Sequence, residues 1–340
     1  MDRSPLRTLV TALCVAAVVV SGCTGSDLPP DVQAVRVAAS GDAEGRLLAH
    51  VLVALLEAVE VEAEVRPYAD ARDGQQALEL GAADVRPGYT GEAWLETLGR
   101  ADPPGDPQAS FAPVRADGQR RGIVWLPPRF VEGPDGPPAN ATFALAVAGP
   151  PSPDADLRTV SQLAARLSER PEASVCVDRE FGSRSDGLRA VLDAYLVRAD
   201  QPFLAASPEE AVRGVLAGDC LAGLTTTTDG EAGAAGLQVL VDDLEVFPAF
   251  VPAVQVREEV LEERPEIAAA LAPFGDELTT AALRSWNALV VTGEPIEQIA
   301  QAAAEDLLAR AAARRAAEAA EAAETEAVED GAGSEDVADG

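Results

Sequence analysis

Lysine is absent from this sequence, because all 26 basic residues of the 340-residue chain are arginine. This absence excludes a Schiff-base lysine and the lysine of a phosphate-binding loop. Histidine occurs once, as His50, in an apolar stretch that is typical of a packed helix. A single histidine argues against a His-based catalytic triad and against a two-histidine metal site. With no nucleophile–base pair and no cofactor motif, the sequence predicts neither an enzyme nor a cofactor or metal site.

Positive charge is scarce as well, and the formal net charge is -31 at pH 7. Such a chain repels the phosphates of nucleic acids and the headgroups of anionic lipids, so nucleic-acid binding is excluded. An acidic surface also favours solubility, which is a sufficient reason for the charge. Apolar residues make up 47% of the chain, so the sequence can bury a sizeable core over a length that suits two domains.

The first 22 residues have the pattern of a secretory signal. Arg3 and Arg7 supply the positive start, and an apolar run follows over residues 8–20. That run is too short to span a bilayer and ends in small residues. The junction V-S-G-C at residues 20–23 resembles the bacterial lipobox, which predicts that Cys23 is a lipidated N-terminus. Residues 23–33 would then be a tether, and the protein would be extracytoplasmic, anchored to the cell membrane. An ordinary cleaved signal or an uncleaved anchor helix is the alternative.

Two cysteines lie in the body of the mature chain, since Cys14 falls inside the signal and Cys23 is the lipidation site. Cys176 and Cys220 each lie at a short strand-like run. In an oxidising compartment two such thiols predict a disulfide. Two free buried cysteines are the alternative.

Strand and helix patterns alternate along the body of the chain. Apolar runs that are typical of strands occur at residues 35–39, 61–67 and 83–86. Between them, residues 44–59 and 74–80 have apolar side chains at the spacing of a helix. This order predicts an α/β fold with a largely parallel sheet. A second α/β run begins with the strand-like residues 142–147.

Proline and glycine crowd residues 101–118 and 127–138, which predicts surface loops there. From residue 311 the chain is an acidic tail rich in alanine and glutamate. Its first part can form a solvated helix, whereas about the last fifteen residues are predicted to be disordered.

Short motifs recur in order along the body. They are L-G-A-A-D-V-R-P-G-Y-T-G-E at residues 80–92, G-I-V-W-L at 122–126, N-A-T-F-A-L at 140–145, E-F-G-S-R-S-D-G at 180–187, T-T-D-G at 227–230, F-P-A-F at 247–250, V-R-E-E-V-L at 256–261, and Asn287. In these motifs the sequence resembles the glycine betaine/carnitine/choline-binding proteins of osmoprotectant ABC importers, over roughly residues 35–308.

The resemblance implies a two-lobed type II periplasmic-binding-protein fold with two hinge strands. Residues 34–140 plus 245–310 would form lobe 1, and residues 141–244 would form lobe 2. The implied function is capture of a small cationic or zwitterionic solute in the cleft and delivery to an ABC permease in the membrane. We expect a monomer. The alternatives are the same fold with another small polar or cationic solute, and a lipoprotein that acts only as a sensor or assembly partner.

The resemblance also implies the ligand-binding residues. A cage of aromatic rings would hold a quaternary ammonium by cation–π attraction, and Tyr89 and Phe143 match two of its positions. Arg184 matches a carboxylate-binding arginine and lies four residues after Glu180, so these two could instead pair with each other. The full set is Ser40, Tyr89, Thr90, Glu92, Asn140, Phe143, Glu180, Arg184, Thr226 and Thr227.

Several of these positions depart from the family pattern. Ser40 stands where the family has a lysine, Glu92 where it has a threonine, and Thr226 where it has a tyrosine. Two groups that would hold a carboxylate are therefore lost, while Glu92 and Glu180 add negative charge. We accordingly expect the pocket to favour a cationic or zwitterionic solute over a simple anion and to bind glycine betaine weakly if at all.

Overall fold

The computed structural model describes residues 33–183, 187–198 and 200–335. Within these ranges the strands form two five-stranded sheets, with the orders β2-β1-β3-β10-β4 and β7-β6-β8-β5-β9. The strands are β1 (Val35–Ala39), β2 (Ala63–Pro67), β3 (Val85–Tyr89), β4 (Ile123–Trp125), β5 (Phe143–Val147), β6 (Val175–Val177), β7 (Phe203–Ala205), β8 (Ala222–Thr226), β9 (Gln238–Val239) and β10 (Pro252–Arg257).

Helices connect the strands and cover the sheets. They are α1 (Ala43–Glu57), α2 (Ala71–Glu79), α3 (Thr90–Glu92), α4 (Pro107–Arg120), α5 (Val160–Glu169), α6 (Arg179–Ser183), α7 (Leu188–Ala194), α8 (Pro208–Ala217), α9 (Gly230–Ala234), α10 (Glu258–Glu263), α11 (Glu266–Glu277), α12 (Thr280–Val291) and α13 (Ile296–Glu335). The structure is thus the α/β fold with two sheets that the sequence predicts. None of the helices in the described ranges combines the length and the apolar character that a membrane span requires.

Each sheet contains one strand that runs against the others. In the first sheet β10 is antiparallel to both β3 and β4, and in the second sheet β5 is antiparallel to β8 and β9. The remaining pairs that involve β1, β2, β3, β6, β7 and β8 are parallel. Both reversed strands follow a segment that arrives from the other sheet. A chain that enters from the opposite end must run in the opposite direction, so the sheets are mixed rather than purely parallel.

Helix α1 is the centre of the first core. The Asp42 carboxylate accepts the backbone N–H of Gly45 at 2.7 Å, and this cap fixes where the helix begins. The apolar spacing then places one face wholly inside the core, through the side chains of Leu47, Leu48, Val51, Leu52 and Leu55, all 0% exposed. Burying each such side chain contributes roughly 1.5–3 kcal/mol. This face packs beneath β1 and against α11, α12 and α13.

Residues 101–118 are not all loop, which corrects the prediction from composition. Helix α4 begins at Pro107, because the Asp106 carboxylate accepts the N–H of Ala109 at 2.5 Å and proline fits the first position of a helix. Pro113 lies inside the helix and interrupts its hydrogen bonding without ending it. The buried side chains of Phe111 and Val114 hold the helix against Trp125, which local composition does not reveal.

Helix α13 continues to Glu335, through part of the segment for which composition predicts disorder. Alanine, glutamate and arginine are strong helix formers, so this sequence can extend a helix that the body has already nucleated. The helix is fastened where Arg314 pairs with Glu277 at 2.7 Å and with Asp276 at 2.8 Å, both on α11. Residues 336–340 lie outside the described ranges.

Two chain segments connect the sheets and contact each other. The first follows β4 and leads to β5, and the second leads from β9 to β10. The N–H of Ala141 donates to the carbonyl of Phe250 at 2.9 Å, and the N–H of Phe250 donates to Asn140 Oδ1 at 2.7 Å. These crossing segments are the place where a hinge between the sheets would turn.

Cys176 and Cys220 form a disulfide in the second sheet, the bridge that the cysteine count predicts. Their Cα atoms are 5.7 Å apart, because β6, which contains Cys176, is the parallel neighbour of β8, which Cys220 precedes. Helix α8 covers the bridge at Gly214, where an added Cβ would lie 2.8 Å from the Cys176 sulfur. Glycine therefore lets the helix approach the disulfide closely.

Candidate ligand-binding site

Strand ends from both sheets supply the predicted site. Ser40 follows β1, Tyr89 ends β3, and Thr226 ends β8, while Phe143 begins the reversed strand β5. Ligands of α/β proteins usually bind beyond the carboxyl ends of parallel strands. Because β5 runs antiparallel to β8, its first residue Phe143 stands beside the last residue of β8, Thr226.

A cavity of about 90 Å³ opens at the strand ends of the second sheet. Its lining consists of Phe143, Asp178, Leu224, Thr225, Thr226 and Asp229. Cavities that hold drug-sized ligands span roughly 300–1,000 Å³, so this one suits a few heavy atoms, such as the head of a small solute. The structure thus brings together Phe143 and Thr226, which the sequence predicts, with two carboxylates that it does not.

Phe143, which lines the cavity, packs against two other aromatic rings. The Phe143 centroid lies 5.3 Å from that of Phe181 and 6.4 Å from that of Phe247. Phe181 and Phe247 are buried, whereas Phe143 is only partly buried. The two buried rings hold the third in place, and the partly exposed ring of Phe143 offers a π face to a ligand.

The cavity carboxylates are held by local hydrogen bonds. Asp229 caps α9, since its Oδ1 accepts the N–H of Glu231 at 2.8 Å, and its Oδ2 accepts the Thr225 hydroxyl at 2.5 Å. Asp178 Oδ1 accepts the N–H of Phe181 at 2.8 Å. Both carboxylates give the cavity a negative potential, which attracts a cation and repels a carboxylate.

Tyr89 lies on the side of the first sheet and is tied to a residue that the sequence reasoning missed. Its hydroxyl donates to Glu44 Oε1, in the first turn of α1. Burial raises the pKa of Tyr89 well above its usual value, and the charge of Glu44 adds to the shift. Burial also raises the pKa of Glu44, while hydrogen bonds from Tyr89, Thr228 and Asn287 act in the opposite direction. An acidic residue in the first turn of a helix is common, so the sequence alone does not identify Glu44 as a site residue.

Glu92 and Ser40 are already engaged with neighbours. Glu92 pairs with the buried side chain of Arg86 at 3.0 Å, so its charge is partly neutralised. Burial raises the pKa of Glu92, and Arg86 opposes that shift. The Ser40 hydroxyl donates to Asp42 Oδ2 at 2.5 Å. A carboxylate therefore stands next to the position where the family pattern has a lysine.

Three predicted ligand-binding residues form hydrogen bonds with the crossing segments. Thr90 is 0% exposed, and its hydroxyl accepts the N–H of Val251 at 3.1 Å and contacts the carbonyl of Ala249 at 3.3 Å. Asn140 is bound to Phe250, as described above, and the Thr227 hydroxyl donates to the carbonyl of Asn140. Each of these side chains thus forms a hydrogen bond with the backbone of a crossing segment, and its ligand-binding role stays a prediction.

Arg184 lies outside the described residues. Glu180 belongs to α6, and only its backbone is described. Cys23 also lies outside the described ranges. The ligand-binding and lipidation predictions for these positions stay predictions.

Comparison with known proteins gives a consistent result. A sequence model of the family described as "Substrate binding domain of ABC-type glycine betaine transport system" matches residues 33–309. A glycine-betaine-binding protein from Pseudomonas aeruginosa is 28% identical over 293 residues, which cover 84% of this chain and 90% of the relative. The glycine betaine-binding protein YehZ from Escherichia coli is 29% identical over 281 residues, covering 78% of this chain and 88% of the relative.

Solved structures share the architecture. Apo YehZ from Escherichia coli superposes with a TM-score of 0.69 at 28% identity, covering 79% of this chain and 96% of that structure. A structure described as a glycine betaine/carnitine/choline ABC transporter also gives a TM-score of 0.69, with 78% and 96% coverage, at 20% identity. At that identity the second similarity concerns the fold alone.

Proposed function

Because this chain belongs to the family of substrate-binding domains of ABC-type glycine betaine transport systems, we propose that it binds a small cationic or zwitterionic solute between its two sheets and presents it to an ABC permease. The family consists of transport proteins rather than enzymes. We assign residues 34–140 plus 245–310 to lobe 1 and residues 141–244 to lobe 2, which close over the solute by turning at the crossing segments.

The observation that carries the proposal is the cavity that Phe143, Asp178 and Asp229 line together. An aromatic face and two carboxylates at one small cavity are complementary to an ammonium group that carries methyl groups. Methyl groups fit the apolar lining of Leu224, while the positive charge meets the carboxylates and the ring. A simple anion would instead meet like charge.

A thermal-shift screen of the mature chain tests the proposal. Choline, glycine betaine and simple dicarboxylates would each be added in excess. A solute present at about 100 times its Kd stabilises the folded state by about 2.7 kcal/mol, so a binder raises the midpoint of unfolding. Stabilisation by an amine but not by a dicarboxylate supports the proposal, and stabilisation by dicarboxylates alone contradicts it.

We further propose that Cys23 is lipidated and anchors a monomeric, extracytoplasmic protein to the cell membrane. Cys23→Ala is expected to move the protein from the membrane fraction to the soluble fraction, because no acyl chain can be attached at that position. The measurement is fractionation of cells that express the full chain. Ser21→Ala is the matched control, since it keeps a small residue before the cysteine. Tight membrane association of the Cys23→Ala protein would contradict lipid anchoring there.

A further inference from the structure

A chain of hydrogen bonds joins the first sheet to the second beside the cavity. The side-chain nitrogen of Asn287 donates to Glu44 Oε2 at 2.5 Å and to the carbonyl of Thr228 at 2.8 Å. The other oxygen of Glu44 accepts the hydroxyl of Tyr89. We call these four residues, Glu44, Tyr89, Thr228 and Asn287, the Glu44 bridge.

The Glu44 bridge spans both halves of the molecule. Tyr89 ends β3 of the first sheet and Glu44 lies in the first turn of α1, which covers that sheet, whereas Thr228 follows β8 of the second sheet. Thr228 directly precedes Asp229, which lines the cavity. At the next residue, Gly230, an added Cβ would lie 2.4 Å from the carbonyl oxygen of Asn287. The absence of a side chain at Gly230 lets the second half approach α12 closely enough for the amide of Asn287 to bond both sides.

The charge of Glu44 has only neutral donors around it. Its partners are the hydroxyl of Tyr89, the amide of Asn287 and the hydroxyl of Thr228, and the charge of another carboxylate, Asp42, helps to raise its pKa. Glu44 forms no ion pair with an arginine of the described ranges. A half-buried carboxylate without a cation favours the approach of one.

Tyr89 can transmit that charge to a ligand. A phenol that donates its proton to a carboxylate is polarised, so electron density shifts from the oxygen into the ring. A ring with more electron density attracts a cation more strongly through its face. The hydrogen bond also fixes the rotation of the ring.

We propose that Glu44 is a positioning residue that makes the site selective for positive charge, by orienting and polarising the ring of Tyr89. The proposal rests on the proposed function, because it requires Tyr89 to face the solute. Glu44 itself need not touch the solute. Asn287 and Thr228 hold the carboxylate in place from the two halves of the molecule.

The test compares a cation with a neutral molecule of the same shape. Choline and 3,3-dimethylbutan-1-ol differ only in the charged nitrogen, and calorimetry measures both with the wild-type chain and with Glu44→Gln. Choline is expected to bind about tenfold more weakly to Glu44→Gln, whereas the affinity of the neutral alcohol changes less than about twofold. Glu57→Gln, at the exposed end of the same helix, is the matched control and should leave both affinities unchanged.

Tyr89→Phe is the second variant, because it keeps Glu44 and the ring but removes the hydrogen bond. In this variant the ratio of the choline affinity to the affinity of the neutral alcohol should fall several-fold. The double variant Glu44→Gln/Tyr89→Phe should show little further decrease in that ratio. Circular dichroism checks that each variant is folded. If Glu44→Gln does not fold, the binding measurements on Tyr89→Phe test the proposal.

If Glu44→Gln weakened the binding of choline and of the neutral alcohol equally, the proposal would be overturned, since Glu44 would then have only a structural role. Unchanged choline binding by Glu44→Gln and Tyr89→Phe would overturn it as well. If the wild-type chain binds neither choline nor glycine betaine, the proposed function itself fails and this inference falls with it.

Discussion

Phe143→Ala is expected to weaken the binding of choline by about ten- to a hundredfold. The substitution removes the aromatic face of the cavity, which contributes about 0.5–2 kcal/mol to a cation, together with the apolar contact of the ring with the methyl groups. Calorimetry on the wild-type chain and the variant measures the loss. Phe143→Tyr should keep most of the affinity, because the ring remains.

Phe130→Ala is the matched control for this experiment. Phe130 is also partly buried and lies against another ring, with its centroid 5.4 Å from that of Phe111, but it packs in the cluster of Phe111 and Trp125 and does not line the cavity. Its loss should lower the stability and leave choline binding unchanged. If Phe143→Ala also left the affinity unchanged, the ring would serve only to pack against Phe181 and Phe247.

Cys176→Ala/Cys220→Ala is expected to lower the free energy of unfolding by about 4 kcal/mol. The bond closes a loop over a sequence separation of 44 residues and so restricts the unfolded chain. Denaturation should be followed by circular dichroism, because Trp286 packs in the core around α1, Trp94 and Trp125 pack in the cluster around Phe111, and none of the three lies in the cores of the second sheet.

Addition of a reductant to the wild-type chain is the control, and it should lower the free energy of unfolding by a similar amount while the double variant does not respond. Mass spectrometry under non-reducing conditions directly counts the thiols that can be alkylated. Two freely alkylated thiols in protein exported to its native compartment would contradict the bridge, as would an unchanged free energy of unfolding in the double variant.

Local patterns predict most of the elements of this fold, because helical and strand periodicity reflect which side chains face a core. The strand Val35–Ala39, for example, has the bounds that its apolar pattern predicts. The reversed direction of β5 and β10 is different, since it depends on where the chain enters each sheet, and no local pattern records that. The sequence pattern does not predict helix α4 for a related reason. Packing of Phe111 against Trp125 stabilises the helix despite the local excess of proline and glycine.

The candidate site is less predictable than the fold. Phe143 lies within one of the ordered motifs and Thr226 directly precedes another, and both line the cavity. Thr90 and Thr227 belong to such motifs too, yet their hydroxyls point to backbone carbonyls of the hinge, and spacing does not give the direction of a side chain. Glu44 and Asn287 are 243 residues apart, so only the folded chain reveals that they meet.

Calorimetry of the chain with choline, glycine betaine and succinate measures whether the cleft selects a small solute by its positive charge. Ser40 stands next to Asp42 at the position where the resemblance implies a lysine, so we expect the carboxylate of betaine to lose a charged contact worth about 1.5–3 kcal/mol, whereas choline should lose nothing there. Choline is therefore expected to bind ten- to a hundredfold more tightly than glycine betaine, by about that same energy, and succinate is expected not to bind. A preference for succinate, or betaine binding as tight as that of choline, would show that the cleft does not select its solute by positive charge.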